Sequence, residues 1–391
     1  MKKKKLLIVI HHLTIGGIQK SLVSALNAID YDKYDVTLYV RKNRTDLLEF
    51  INKKTEVIVN TDKTKYYRKI SSLFLLLAIA FYSLIGSKNR KTVTENKLNE
   101  KIRKMQMEYE YRHYMKNKEF DIAVAYSQGF TPEFVDKYVN ARKKTAFFHS
   151  STQEQPELYK SISDRFDAFG VLNEKQAGLV EKWYPKMRGK TVIVENYVDR
   201  GFVAGCAEEF HIENPAGRFI LCTCGRFAKV KGFDLACKTA KILKDNKIDF
   251  LWRFVGDGTE RENIERLVKD LGITDNIEFV GMQKNPYPYI ASCDIYVQPS
   301  YEEAMPVAII EAQILNRPVV STDTLGGRSL IKNGETGVIC ETDPKSVSIK
   351  IIRLLTSREL YDKITDNLKS ADHTCDFQNY KNQWEKVLSG D

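Results

Sequence analysis

The residues best suited to chemistry lie in one segment of the second half of the chain, which reads PSYEEAMPVAIIEA from Pro299. Pro306 suits the first residue of a helix, because its fixed φ fits there and its missing N–H leaves no hydrogen bond unmade. The small side chain of Ala304 lets backbone N–H groups approach a ligand closely. Because free amides and the helix dipole attract anions, this loop and helix start predict a phosphate site.

Two carboxylates flank the predicted phosphate site. Glu303 precedes it, and Glu311 follows it on the apolar part of the predicted helix. An ionised carboxylate among apolar residues needs a partner. Two partners for Glu311 remain open: the hydroxyl groups of a ribose, or a buried Arg or Lys of the protein.

A second candidate loop, GRFAKVKG from Gly225 to Gly232, directly follows an apolar run that predicts a strand. Arg226 offers a planar fork and Lys231 a point charge, and together they can neutralise a diphosphate. Basic loops after strands are common, so this loop is informative mainly in combination with the Glu303 segment.

Two weaker candidates lie in the first half of the chain. Gly16 and Gly17 fall in the first loop after a strand and lack the full Gly-x-Gly-x-x-Gly pattern. Adjacent glycines allow a phosphate or sugar to approach, although a plain turn is the simpler interpretation. His149 directly follows a predicted strand, so it is either a hydrogen-bonded structural residue or a site residue on the cleft side.

The elements that must position these residues alternate short apolar strands with helical patterns, which is typical of parallel α/β architecture. The first half predicts strands at Leu6–Ile10, Val36–Val40, Glu56–Val59, Asp121–Ala125, Thr145–Phe148, Ala168–Val171 and Thr191–Val194. The second half predicts strands at Phe219–Cys224, Phe250–Val255, Ile277–Val280, Ile295–Gln298, Val319–Thr322 and Gly337–Cys340. Two such sets predict two Rossmann-like domains, residues 1–200 and 201–375, with a C-terminal helix at about 376–391 packing back on the first.

Composition fits a globular protein with two domains: 391 residues, of which 43% are hydrophobic and 29% are charged. All seven cysteines lie in the second half. Cys222 and Cys224 would share one face of a strand, which favours buried thiols in a reduced, cytosolic compartment. Asp30 and Asp32 have metal-ligand spacing but fall in an ordinary turn. We therefore expect no essential metal and no cofactor.

The positive charge of the chain is concentrated in its first half. Residues 1–200 carry 37 Lys+Arg against 23 Asp+Glu, a net of +14, whereas residues 201–391 carry 24 against 28, a net of −4. Such a basic half suits nucleic acid or an anionic membrane. The uncharged segment Leu73–Ile85, with basic flanks, favours the membrane. It is too short to span a bilayer, which needs about 20 apolar residues, so it is either a buried helix or an interfacial one.

Together these segments resemble glycosyltransferase family 4, whose members are retaining enzymes of the GT-B fold. The resemblance covers nearly the whole chain and rests on motifs in both halves, namely Gly16-Gly17, His149, Asn196–Asp199, Gly225-Arg226, Lys231-Gly232, Gly256–Gly258 and the pair Glu303 and Glu311. It implies two Rossmann-like domains facing each other across a donor-binding cleft. The spacing of the two glutamates is its most specific element.

The resemblance also implies roles for individual residues. The catalytic group would be Arg226, Lys231, Glu303 and His149, with the two cations stabilising the leaving diphosphate. Donor binding would involve Gly16, Gly17, Ala304, Met305, Pro306, Glu311 and Met282, with Glu311 on the ribose and Met282 near the base. The family usually has Gly where Ala304 stands, so a positive φ there would strain the backbone by about 1 kcal/mol.

The implied reaction moves a hexosyl or N-acetylhexosaminyl unit from a nucleotide-diphosphate sugar, favoured as a UDP-sugar, and forms an α-linkage without metal. The expected acceptor is a lipid-linked glycan of a bacterial surface polysaccharide, reached by a peripheral enzyme on the cytoplasmic face of the membrane. A glycolipid or a soluble acceptor is the alternative. A sugar-nucleotide epimerase and a non-catalytic basic binding protein are more distant alternatives, and nucleic acid is not expected as a partner.

Overall fold

A computed structural model describes residues 2–61, 88–153, 156–215, 217–370 and 377–389. The segment Leu73–Ile85 lies outside these residues. Within them, the strands form two all-parallel sheets, one of seven strands and one of six. This arrangement confirms the prediction of an α/β fold with two Rossmann-like sheets.

The first sheet has the strand order β3-β2-β1-β4-β5-β6-β7. Its strands are β1 Lys4–Ile10, β2 Tyr34–Val40, β3 Glu56–Val59, β4 Glu119–Ala125, β5 Asn140–Phe147, β6 Ala168–Val171 and β7 Thr191–Ile193. Helices cover it on both faces, so its central strands are continuous apolar runs. The helices are α1 Gly17–Ala28, α2 Lys88–Glu110, α3 Phe130–Tyr138, α4 Pro156–Ile162 and α5 Glu174–Trp183, and a π-helical turn at Tyr111–Met115 extends α2.

The second sheet has the order β10-β9-β8-β11-β12-β13, which is the Rossmann order with the first strand at the centre. Its strands are β8 Phe219–Cys224, β9 Phe250–Val255, β10 Ile277–Gly281, β11 Ile295–Gln298, β12 Val319–Thr322 and β13 Val338–Cys340. The helices of this half are α6 Arg200–Ala207, α7 Phe233–Asp245, α8 Arg261–Asp270, α9 Tyr287–Ala291, α10 Val307–Ile314, α11 Leu325–Leu330, α12 Pro344–Thr356 and α13 Arg358–Ser370.

The predicted strands differ from the observed ones mainly at their ends. The largest difference is β5, which begins at Asn140 rather than Thr145. Its first residues include Arg142, Lys143 and Lys144, whose side chains reach solvent at the end of the sheet. Charged residues of this kind carry no apolar signal, although their backbones pair with β4.

The last helix, α14 Phe377–Ser389, packs on the first sheet. Its Trp384 is 1% exposed, and the indole ring stacks on Phe147 and Tyr126 at centroid distances of 5.2 and 6.0 Å. Conversely, Val203 on α6 joins the hydrophobic core of the second sheet. None of the described helices is long and apolar enough to cross a bilayer.

Replacement of Trp384 tests the contribution of this docked helix. Trp384→Ala leaves a cavity between α14 and the first sheet, so we expect the free energy of unfolding to fall by about 3–5 kcal/mol. Asn382→Ala, at an exposed position of the same helix, should change it by less than about 0.5 kcal/mol. Urea titrations followed by circular dichroism measure both. Equal stabilities of the two variants would contradict the packing described.

Candidate active site

The two loops predicted to carry the chemistry lie side by side at the carboxyl end of the second sheet. One follows β8 and the other follows β11, and these strands are neighbours although they are not consecutive in the chain. The connections leave β8 and β11 in opposite directions across the sheet. A crevice forms at such a switch point, which is where open α/β sheets bind ligands.

Close packing fixes the first loop against the second. The backbone N–H of Tyr301 donates to the carbonyl of Val230 at 2.8 Å. Gly232, with a φ of 66°, directly precedes α7, and a Cβ atom there would lie 1.9 Å from the carbonyl oxygen of Pro299. Only glycine fits this position, because both the left-handed backbone and the close approach exclude a side chain.

Lys231 and Glu303 form an ion pair across the two loops. Lys231 Nζ lies 2.6 Å from Glu303 Oε1, and the side chains are 28% and 10% exposed. Gln298 and Ser300 also donate to Glu303 Oε1, at 3.0 and 2.8 Å. Three donors therefore hold this carboxylate in one orientation, and its second oxygen remains available to a ligand.

Arg226 differs from Lys231 in having no such partner. Its side chain is exposed on the same loop as Lys231, and it forms no salt bridge within the described part of the chain. An exposed guanidinium and a half-buried lysine on one loop provide positive potential at this end of the sheet.

Free backbone amides lie just before α10. The backbone N–H groups of Ala304 and Met305 donate to no acceptor among the described residues. Their carbonyls instead accept from the first domain, Ala304 O from Asn173 Nδ2 at 3.1 Å and Met305 O from Asn196 Nδ2 at 2.9 Å. The contact with Asn173 fixes the peptide plane that carries the Met305 N–H. The plane that carries the Ala304 N–H is held from the second domain, where the N–H of Gly326 donates to the carbonyl of Glu303 at 2.8 Å. Both amides remain open to an anion.

Two expectations for this loop need correction. Pro306 is not the first helical residue: it directly precedes α10, because its ψ of 112° is extended. Ala304 is not among the non-glycine residues with a positive φ, namely Asn117, Lys247 and Asn316. The expected backbone strain at Ala304 is therefore not present.

Glu311, 3% exposed on α10, has protein partners from both halves of the chain. Lys20 Nζ of α1 lies 2.5 Å from Glu311 Oε1, and Tyr287 Oη donates to the same oxygen at 3.0 Å. Of the two partners left open by the sequence, a cation of the protein is observed, the half-buried Lys20. Glu311 Oε2 takes no hydrogen bond from the described residues, so one oxygen of the carboxylate remains for a ligand.

His149 lies on the first domain with its ring against Tyr126 and Phe147, at centroid distances of 4.9 and 5.8 Å. Its Nε2 atom is 2.6 Å from the carbonyl oxygen of Tyr126, so Nε2 carries the proton and Nδ1 is an acceptor. Burial lowers the pKa of His149 from 6.5 to about 4, and the hydrogen bond to Tyr126 opposes part of that shift. The imidazole is therefore neutral at pH 7 and cannot serve there as a proton donor through Nδ1.

The remaining predicted residues lie at the borders of the crevice. Gly16 precedes α1 with an extended φ of 178°, and a Cβ on Gly17 would lie 3.9 Å from Val307 Cγ2. Gly17 at the start of α1 therefore lies close to Val307 at the start of α10. Met282 follows β10 at the same edge of the second sheet and is 53% exposed.

Several residues of this arrangement were missed by reasoning from the sequence. They share contacts with the predicted carboxylates and amides, and they are Lys20, Asn173, Tyr287, Gln298 and Ser300. Gln298 and Ser300 had a local signal, since they lie in the same loop as Glu303. In the described residues, no group of three or more His, Cys, Asp or Glu side chains could hold a metal ion.

Comparison with known proteins finds a family similar to the second half of the chain. Residues 207–371 match the family described as Glycosyl transferases group 1. The lipopolysaccharide core biosynthesis glycosyltransferase LpsE of Rhizobium meliloti is 30% identical over 149 residues, 38% of this chain and 42% of LpsE. The N-acetyl-alpha-D-glucosaminyl L-malate synthase of Bacillus anthracis is 32% identical over 233 residues, 58% of this chain and 54% of the synthase. The chain thus spans about half the length of these curated relatives.

Solved structures extend the similarity of fold to the whole chain. TarM of S. aureus, crystallised with UDP, superposes with a TM-score of 0.72 over 98% of this chain and 99% of TarM, at 15% identity. HepE of Anabaena, in complex with UDP and glucose, superposes with a TM-score of 0.71 over 99% of both chains, at 14% identity. These are GT-B glycosyltransferases, so the prediction of the GT-B fold is confirmed.

The neutral state of His149 predicts a pH dependence of stability. Because its pKa is about 4 in the folded protein and 6.5 ordinarily, protonation favours unfolding. Its contribution is present above pH 6.5 and is lost as the pH falls through 4, with a slope of up to about 1.4 kcal/mol per pH unit. Urea titrations between pH 7 and 4 should show a weaker slope for His149→Gln than for wild type. An unchanged slope would refute the buried neutral imidazole.

Proposed function

We propose, from the match of residues 207–371 to the family of group 1 glycosyl transferases, that the protein is a retaining glycosyltransferase of family 4. It would transfer a hexosyl or N-acetylhexosaminyl unit from a nucleotide-diphosphate sugar, with UDP as the nucleotide. The observation that carries the proposal is the pair of carboxylates that flank the open amides before α10 in the chain, Glu303 paired with Lys231 and Glu311 paired with Lys20.

Each part of a nucleotide-diphosphate sugar has a chemical counterpart in the crevice. Arg226 and Lys231 supply positive charge for the diphosphate, and the amides of Ala304 and Met305 supply hydrogen-bond donors. Glu311 offers its free oxygen to ribose hydroxyl groups. Met282 is exposed at the end of β10, and the resemblance to family 4 implies that it lies near the nucleotide base.

The transferred sugar would lie between Glu303 and the first domain. The free oxygen of Glu303 and Nδ1 of neutral His149 can each accept a hydrogen bond from a sugar hydroxyl group. Gly16 and Gly17 leave space at the start of α1, and Pro306 sets the start of α10 opposite them. These groups orient the anomeric carbon without providing a covalent nucleophile.

The reaction would proceed by front-face displacement with retention, giving an α-linkage from an α-linked donor. The acceptor oxygen bonds to the anomeric carbon as the bond to the leaving phosphate breaks, and the acceptor proton passes to a phosphate oxygen. Arg226, Lys231 and the amides stabilise the charge that develops on the diphosphate. We propose that this happens without an essential metal or other cofactor.

For the acceptor we propose a lipid-linked glycan of a bacterial surface polysaccharide. The net charge of +14 on residues 1–200 suits an anionic membrane surface, with the region of Leu73–Ile85 as a further contact. The enzyme would then act as a peripheral protein on the cytoplasmic face of the cell membrane. A glycolipid or a soluble acceptor would leave the donor chemistry unchanged.

A screen of UDP- and GDP-sugars for binding and hydrolysis, in buffer with EDTA, tests the donor side. We expect hydrolysis of a UDP-sugar despite the chelator. Arg226→Ala and Lys231→Ala should each lower kcat/KM by about 100-fold or more, as loss of a charge-stabilising donor does. Lys229→Ala, which removes an exposed lysine of the same loop, should stay within a few fold of wild type.

Three outcomes of the screen would refute parts of the account. Values of kcat/KM within a few fold of wild type for both Arg226→Ala and Lys231→Ala would exclude stabilisation by these cations. Activity that disappears in EDTA would exclude the metal-free mechanism. Formation of an epimeric sugar nucleotide instead of hydrolysis or transfer would favour an epimerase.

A further inference from the structure

Lys20 is the point at which the first domain reaches the carboxylate of Glu311 in the second. It lies in the first turn of α1, where its backbone N–H donates to the carbonyl of Gly16 at 2.9 Å. Its Nζ atom extends to Glu311 Oε1 at 2.5 Å, and the side chain is 22% exposed. No other described residue forms a salt bridge with Glu311. The charge that balances this buried carboxylate therefore comes from the first domain.

Tyr287 completes a compact group around the same carboxylate oxygen. Its Oη atom donates to Glu311 Oε1 at 3.0 Å, and Lys20 Nζ lies 4.8 Å from the centroid of its ring. Burial raises the pKa of Tyr287, so the phenol stays protonated and donates its hydrogen. Because both donors act on Oε1, the other oxygen, Oε2, is the one that a ligand can meet.

A chain of hydrogen bonds next to Lys20 fixes α1 relative to the second domain. Ser21 follows Lys20 on α1, and its Oγ atom donates to Asn196 Oδ1 at 2.7 Å. Asn196 Nδ2 in turn donates to the carbonyl of Met305 at 2.9 Å. The hydroxyl of Tyr126 lies 2.9 Å from Ser21 Oγ, and both side chains are buried. Lys20 therefore meets the second domain from a helix whose position other buried contacts also hold.

Without Lys20 the carboxylate of Glu311 would lose both its charge partner and its orientation. Tyr287 would remain as one neutral donor, and a single hydrogen bond allows a carboxylate to rotate so that either oxygen faces the ligand. A buried carboxylate that has no cation also favours its protonated form, in which one oxygen carries a hydrogen. Either change would weaken the acceptor that Glu311 offers to ribose hydroxyl groups.

We propose that Lys20 is a positioning residue that determines the preference of the enzyme for a ribonucleotide donor. By holding Oε1 of Glu311, it keeps that carboxylate ionised and leaves Oε2 directed at the ribose hydroxyl groups. The second domain thus recognises the ribose with the help of a cation that the first domain supplies. The inference rests on the proposed donor binding, and it adds a residue outside the predicted motifs that sets specificity for the sugar of the nucleotide.

The test measures, by calorimetry on the whole protein, the affinities of UDP and of UDP that lacks both ribose hydroxyl groups. We expect wild type to prefer UDP by at least about tenfold. Lys20→Met should bind UDP about tenfold more weakly and bind the deoxygenated nucleotide as wild type does, so that the preference is lost. Lys20→Arg keeps a cation near Glu311 and should retain a preference of at least about threefold.

Lys33→Met is the matched control. Lys33 forms an exposed ion pair with Glu385 at 3.5 Å and directly precedes β2, at the opposite end of the first sheet, so its loss should leave both affinities unchanged. An equal loss of affinity for both nucleotides in Lys20→Met, or an undiminished preference, would overturn the role of Lys20. If circular dichroism shows Lys20→Met to be unfolded, Lys20→Gln is held to the same criterion. Failure of wild type to bind UDP, or to prefer it, would instead refute the proposed donor site itself, so the two failures are distinguishable.

Discussion

The buried carboxylate of Glu311 sets the main constraint on this structure. An ionised group that is 3% exposed on an apolar helix is tolerated only when it is paired. Lys20 supplies the charge from the first domain and Tyr287 supplies a hydroxyl group from the second. The pairing therefore draws α1 towards α10.

The same contact organises the crevice electrostatically. Two carboxylates are each held by one lysine through a single oxygen, Glu303 by Lys231 and Glu311 by Lys20. A second oxygen of each is left for hydroxyl groups, while Arg226 and the amides before α10 remain for phosphate. The fold has thus oriented the polar groups before a ligand arrives, so little free energy is needed to reorganise them during reaction.

How far the sequence predicts this structure depends on the range of the interactions. Strands of a parallel sheet buried on both faces are continuous apolar runs, so the sequence predicts their positions, except for the charged start of β5. The sequence also predicts the loops after β8 and β11, because glycine, proline and charged residues mark them locally. The sequence does not predict the partners Lys20 and Asn173. They lie 291 and 131 residues from their contacts and meet them only through the docking of two domains. The roles of the site residues stay predictions.

The most direct test of the account is the affinity of UDP for wild type and for Glu311→Gln, measured by calorimetry alongside UDP that lacks both ribose hydroxyl groups. Glu335→Gln, an exposed change in the same domain, serves as the control. We expect wild type and the control to bind UDP equally, and to bind the deoxygenated nucleotide at least tenfold more weakly. Glu311→Gln should bind both nucleotides with the same reduced affinity. Undiminished UDP binding by Glu311→Gln, or no binding of UDP to wild type, would contradict the account.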